Sequence, residues 1–345
     1  MITVGVKYTE SIAGMTTRRL GLTTGILVTM VWSSLAAGAA TAKETPTYAE
    51  RLGWPRGARV VIFHIDDAGM SPDSNQGVRE ALGQGIATST SIMFPCPWVG
   101  PCVEYLKEHP ETDAGIHLTL TAEWRSYRWG PVAGKRAVPS LVDPEGCLWG
   151  EVPAVLQHAT PDDVEAEIRA QLDRCLAMGI TPTHLDSHMG TLFASPLFFQ
   201  RYLKVGVEMH IPVLIPGGHL DYIVRDTPAL VEPARQMGRL TWQAGLPVID
   251  DLHTGKWGGA RPEEKKAQIL TFLRTLKPGI TEFIVHCTRV TPAFGLISGS
   301  GAMRQAELDA MLDPEIRKVI QDEGIILTTW RELGQRRDRA ITQGL

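Results

Sequence analysis

The chain of 345 residues is 43% hydrophobic and 21% charged, with a formal net charge of −4. These are the proportions of a folded soluble protein long enough for one large domain or two ordinary ones. With no long Lys/Arg tract and no basic–aromatic interleaving, the chain carries no electrostatic footprint for nucleic acid.

In chain order, residues 1–42 read as a secretory signal peptide and not as part of the fold. Thr16-Thr17-Arg18-Arg19 supplies a positive region, an apolar stretch runs through about Leu35, and Ala39-Ala40-Thr41-Ala42 offers a small-residue cleavage site. The paired arginines suggest the twin-arginine route as an alternative to the general one. The expectation is an exported, periplasmic or secreted protein, with no membrane attachment once the signal is cleaved. No later stretch is apolar for long enough to span a bilayer.

Residues 43–57 read as a linker, and strands and helices alternate from there. Val60–Asp66 is an apolar, β-branched run expected as a strand buried on both faces. A helix is expected over Asp73–Gly83, a strand over Ala87–Phe94, a helix over Val99–His109 and a strand over Asp113–Leu120. Residues 122–158 lack periodicity and carry Trp124, Tyr127, Trp129 and Trp149, so they read as an insertion or lid loop. Thr160-Pro161 starts a helix that runs to Gly179, followed by a strand over Thr183–Ser187 and a helix over Pro196–Gly206. Strands are expected over Ile211–Ile215 and Leu246–Ile249 inside an otherwise irregular stretch, 217–258. Then come a helix over Pro262–Leu276, a strand over Phe283–His286, a helix over Glu307–Asp322, a last strand over Ile325–Thr329 and a tail from 334. This alternation predicts an α/β fold, a distorted (β/α) barrel of about seven or eight mostly parallel strands. Five cysteines leave at least one unpaired in an oxidising compartment, and the spacing of Cys96 and Cys102 admits a local disulfide. There is no G-x-G-x-x-G after the first strand, no P-loop and no G-x-S-x-G elbow, which removes dinucleotide, nucleotide and serine-hydrolase readings.

The chemistry concentrates at strand ends. Asp66 and Asp67 close the first strand, His117 sits in the third, His184, Asp186 and His188 follow Thr183, and His286 ends the strand at Phe283. Two carboxylates at the end of a buried strand are costly to desolvate unless something pairs with them, and acids beside histidines suit a metal ion. The plain alternative for either aspartate is a helix cap or a loop-orienting side chain. In an ideal strand Asp66 and Asp67 would point to opposite faces, so both serve one site only if the strand ends or twists there. His64 shares a face with Asp66 and is expected mainly to pack. Asp186 either hydrogen-bonds a ligating imidazole or orients its loop.

Five blocks together resemble the YdjC/ChbG carbohydrate deacetylase family, a relative of the wider polysaccharide deacetylases. They are His64-Ile65-Asp66-Asp67-Ala68-Gly69-Met70-Ser71-Pro72, Gly85-Ile86-Ala87-Thr88-Ser89-Thr90-Ser91, Gly115-Ile116-His117-Leu118-Thr119-Leu120, Pro182-Thr183-His184-Leu185-Asp186-Ser187-His188 and Val285-His286-Cys287. A closing Met303-Arg304-Gln305-Ala306-Glu307-Leu308 also fits, and the blocks cover a domain of roughly residues 58–333. The resemblance implies one divalent metal ion, zinc or magnesium, held by Asp67, His117 and His188. It implies Asp66 as general base, His286 as general acid, and a small carbohydrate substrate from which an N-acetyl group is removed. His64, His184, Asp186 and Arg304 are then support or substrate contacts. The chain departs from the family at Gly190 and Phe193, where further histidines are usual, and in the last block, usually Cys-His-Pro, which here reads Val285-His286-Cys287-Thr288. A carbohydrate-binding protein on the same scaffold, or a metal hydrolase of another ester or glycosidic bond, are the alternative functions. The oligomeric state stays open.

Overall fold

The apolar run around Val60 is strand β1, Arg59–Ala68, and it lies at the centre of a parallel sheet. The computed structural model describes residues 45–253 and 260–344, so the expected signal peptide at 1–42 lies outside the described residues. The other strands are β2 (Ser89–Ile92), β3 (Ala114–Leu118), β4 (Leu185–Ser187), β5 (Asp251–His253), β6 (Gly279–Val285) and β7 (Ile326–Leu327). Their order is β4-β3-β2-β1-β6-β5, with every pairing parallel. β7 pairs with Val60 and Val61 of β1, below the point where β2 takes over at His64. The helices are α1 (Tyr48–Arg51), α2 (Pro72–Gly83), α3 (Val99–Glu108), α4 (Val152–His158), α5 (Pro161–Ala177), α6 (Pro196–Glu208), α7 (Asp221–Asp226), α8 (Val231–Gln243), α9 (Pro262–Thr275), α10 (Gly301–Met311), α11 (Pro314–Asp322) and α12 (Trp330–Thr342).

Between β4 and β5 the wall continues through irregular chain. Leu185 N–H donates to the Pro212 carbonyl (2.8 Å), Leu214 N–H to Leu185 (2.9 Å), Ile249 N–H to Ile215 (3.1 Å) and Gly217 N–H to Ile249 (2.9 Å). The stretches 211–215 and 246–249, expected as strands, are single bridges and not ladders. Pro212, Pro216 and Pro247 explain this, because each removes a donor that a ladder would need. The result is a distorted (β/α) barrel.

Alternation along β1 sorts its side chains between two cores. Val61, Phe63 and Ile65 face the helices, while Val60 and Ile62 face inward with Leu214, Ile249, Ile280 and Ile284. Trp330, fully buried, joins this inner cluster, and its indole N–H donates to Glu282 (2.7 Å). His64 and Asp66 continue the inward row of β1 by the same alternation. The apolar filling of the barrel therefore gives way to a polar one toward the C-terminal strand ends, where α/β barrels carry their sites.

Several connecting segments differ from expectation. The linker holds α1, whose Thr47 caps it and whose Tyr48 and Ala49 N–H groups donate to the buried Asp250 carboxylate (2.8 and 3.1 Å). Residues 217–253 are not wholly irregular but include α7 and α8. The helix expected over 307–322 is two, α10 and α11, broken where Pro314 starts the second with Asp313 as its cap. The tail from 334 is the body of α12, its first turn capped by Thr329 and held by the Asp113 carboxylate, which accepts the Trp330 and Arg331 N–H groups (3.0 and 2.9 Å). All five cysteines are free thiols, so the Cys96–Cys102 bridge does not form. The aromatic loop 122–158 contains α4 and packs on itself: the Trp129 indole donates to Thr121 and that of Trp149 to Ser140. Glu167 on α5 accepts the Val132 and Ala133 N–H groups (2.8 and 2.9 Å), tying the loop to the helix layer.

Candidate metal centre

The obstacle the sequence posed, two adjacent aspartates on one strand, is removed by a bulge. β1 pairs His64 with Ser89 and Ile65 with Thr90, but then Ala68 with Ile92, so β1 carries one extra residue. Asp67 takes it up with φ of +66°, a left-handed conformation costing about 1–2 kcal/mol that aspartate tolerates better than most residues. Both carboxylates thereby reach the same end of the barrel.

Three atoms meet there. Oδ1 of Asp67 is 3.5 Å from Nε2 of His117 and 3.4 Å from Nδ1 of His188, and the two nitrogens are 3.1 Å apart. All three residues are buried. Ligands about 2.1 Å from one tetrahedral or octahedral ion lie about 3.0–3.4 Å from each other, so these atoms fit a single cation. Without an ion the two ring nitrogens, 3.1 Å apart, share one hydrogen bond, and the buried Asp67 Oδ1 receives none among the described residues.

The far side of each ring is held by a carboxylate. His117 Nδ1 is 2.8 Å from Asp186 Oδ1, and His188 Nε2 is 3.1 Å from Glu123 Oε1. With a cation bound, Nδ1–H of His117 and Nε2–H of His188 would donate outward and the inward nitrogens would carry lone pairs, the arrangement a ligating histidine needs. Asp186 uses its other oxygen on His64 (3.0 Å), and His64 in turn lies 3.3 Å from Asp66 Oδ1. Ser89 and Ser91 complete the His64 contacts at 3.0 Å each. Far from merely filling space, His64 links Asp66 to the carboxylate that holds His117.

A family model described as YdjC-like protein matches residues 60–322. The chain belongs to the YdjC-like family. Relatives named carbohydrate deacetylase include one from Brevibacillus brevis, 30% identical over 79% of this chain and 99% of its own length, and one from Thermus thermophilus, 30% identical over 82% and 96%. Another, from Thermoanaerobacter pseudethanolicus, is 28% identical over 79% and 98%. A crystal structure from Enterococcus faecalis, of a protein for which cellobiose-phosphate cleavage has been suggested, superposes with a TM-score of 0.68 at 22% identity over 80% of this chain and 99% of that one, which establishes the likeness of fold.

In this YdjC-like protein the remaining expected residues fall at different depths. Arg304 is buried on α10 and places Nη2 2.7 Å from Asp67 Oδ2. Burial alone would raise the Asp67 carboxyl, but this guanidinium, with His188 and His286, holds it well below the usual range. His286 lies at the C-terminal end of β6, partly exposed, with Nε2 3.8 Å from Asp66 Oδ2. His184 does not reach the cleft: it is fully buried, stacked on Trp330, with Nδ1 3.0 Å from Thr183 Oγ1, and burial together with His64 lowers it to about 4. Burial would lower His188 too, yet Glu123 and Asp67 outweigh it and raise the ring to about 10. Glu123 was not singled out in the sequence, since it stands in a loop with no periodicity to orient it. Its position six residues after His117 gave no spacing signal either.

Proposed function

We propose that this protein is a metal-dependent hydrolase that removes N-acetyl groups from amino-sugar oligosaccharides. The observation that carries the reading is the triangle of Asp67 Oδ1, His117 Nε2 and His188 Nδ1, and the relatives named carbohydrate deacetylase support the substrate class. One divalent ion, zinc or magnesium, would be held by those three residues. When bound, it would acidify a water and polarise the acetyl carbonyl. Asp66, kept in place by His64, accepts the proton of the attacking water. His286 gives a proton to the leaving nitrogen. With 3.8 Å between Asp66 Oδ2 and His286 Nε2, base and acid can both reach atoms bonded to one acyl carbon. Asp186 and Glu123 keep the two imidazole ligands in the tautomers that face inward.

The test is acetate release from N-acetylglucosamine oligomers by the purified protein, with and without chelator, and by His117→Ala. Chelator-sensitive release, restored by zinc or magnesium and absent from the variant, is the expected result. No release from any acetylated sugar, with sugar binding that survives His188→Ala, would replace the enzyme by a carbohydrate-binding protein on the same scaffold. The basic and apolar residues before Lys43 support export, which fractionation of cells making the full chain would check.

A further inference from the structure

Behind His286 lies a line of buried charge that the mechanism above leaves unused. Lys265 on α9 and Glu307 on α10 are both fully buried, with Nζ 3.4 Å from Oε1. Oε2 of the same carboxylate accepts the backbone N–H of His286 (2.7 Å) and lies 3.6 Å from its ring Nδ1. The opposite ring nitrogen, Nε2, looks toward Asp66. A buried ion pair is weak evidence of stabilisation, because apolar side chains of similar volume usually serve a core as well or better. The carboxylate therefore needs another reason to sit where it does. Burial would raise Glu307, but His286 and then Lys265 outweigh it and leave its carboxyl below the ordinary value, so an anion faces Nδ1.

We infer that Glu307, anchored by Lys265, is a positioning residue that keeps a proton on Nδ1 of His286 and so reserves Nε2 for the proton exchanged with substrate. An anion 3.6 Å from Nδ1 favours the ring with hydrogen there through its charge, the distance being too long for a hydrogen bond. When Nε2–H is given to the leaving nitrogen, the Nδ1 proton stays and Glu307 remains ionised, so one proton moves and no other bond changes. The backbone contact to Glu307 fixes the end of β6, which limits rotation of the ring away from the cleft. This inference rests on His286 acting as the acid, but the tautomer it specifies does not depend on any substrate.

The experiment uses the full chain labelled with ¹⁵N-histidine, His286 being assigned by its loss in His286→Gln. In the neutral ring of the wild type the proton should sit on Nδ1. Glu307→Gln should move it toward Nε2 and lower kcat about tenfold or more, with KM within about threefold. Lys265→Met should lower the melting temperature by leaving Glu307 without its cation. The double variant Lys265→Met/Glu307→Gln should recover that temperature without recovering kcat, which separates positioning from folding. A wild-type ring with its proton on Nε2, or Glu307→Gln with unchanged ring shifts and unchanged kcat, overturns the inference. If the wild type released no acetate at all, the deacetylase reading would fail while the ring spectra still decided the role of Glu307.

Discussion

Asp186→Asn is the sharpest probe of the centre. The carboxylate is buried and divides its oxygens between two imidazoles, 2.8 Å from His117 Nδ1 and 3.0 Å from His64 Nε2. Asparagine keeps the shape but offers one oxygen and one NH₂ group, so one ring must face a donor whichever way the amide turns. If His117 faces it, Nδ1 becomes the acceptor and the ring proton moves to Nε2, where the cation should bind. Removing such an outward partner typically costs about 10- to 100-fold in metal affinity, or about 1.4–2.7 kcal/mol. If His64 faces the NH₂ group, His64 must turn or lose its proton, and Asp66 loses its neighbour at 3.3 Å, so the loss appears in kcat. Calorimetric titration of metal-stripped wild type and variant with zinc, together with kcat on an acetylated oligomer, reads both outcomes. A folded Asp186→Asn protein with wild-type affinity and wild-type kcat would refute the reasoning.

Asp250→Ala leaves the buried N–H groups of Tyr48, Ala49 and Ile280 without their acceptor. At about 1–3 kcal/mol each, this should cost about 3–9 kcal/mol in urea unfolding, and an unchanged midpoint would mean that these three contacts add nothing to the fold. Gly115→Ala would put a methyl group 2.5–2.6 Å from the His184 ring and should destabilise by about 1–3 kcal/mol through displaced packing, readable as a lower melting temperature. Burial pushes Glu282 up to about 8, though His64 opposes it. The folded carboxyl thus keeps its proton where the unfolded one has lost it, so this group's contribution to stability falls as pH rises from about 4.5 to 8. Glu282→Gln should flatten that decline between pH 5 and 8.5, and parallel melting curves for the two proteins would show that the carboxyl does not titrate in this window.

Much of this was legible because local chemistry and global fold agree. The β-branched run at 60–65, the Pro-started helices and the histidines at strand ends each announced an element or a site by composition alone. The failures have equally local causes. Prolines at 212, 216 and 247 left apolar stretches that look like strands unable to form ladders. Residues 334–342 are polar enough to read as a tail, yet Trp330 plugs the barrel and Asp113, distant in sequence, caps the helix that follows. Glu123 and Lys265 were invisible as site residues, and Glu307, though inside the Met303–Leu308 block, had no role assigned, because each meets a partner from another element and single-sequence periodicity carries no information about such pairs. The bulge at Asp67 could be stated only as a condition, since its proof is a change in register between two strands.

That bulge makes neighbouring residues separable by experiment. Asp66 and Asp67 are adjacent, chemically identical and buried, yet Asp67 points an oxygen at two imidazole nitrogens while Asp66 lies between His64 and His286, with Oδ2 3.7 Å from the His117 Nε2 that Asp67 also faces. Asp67→Asn removes a proposed ligand and should weaken zinc binding by about two orders of magnitude or more, lowering kcat only as the ion is lost, so that excess metal restores part of it. Asp66→Asn removes none of the three proposed ligands: affinity should change by less than about tenfold and stoichiometry should stay at one ion per chain, while kcat falls about 10²- to 10⁴-fold and excess metal does not restore it. Equal losses of metal in the two variants would mean that both carboxylates ligate, and the division of labour between base and ligand would be wrong.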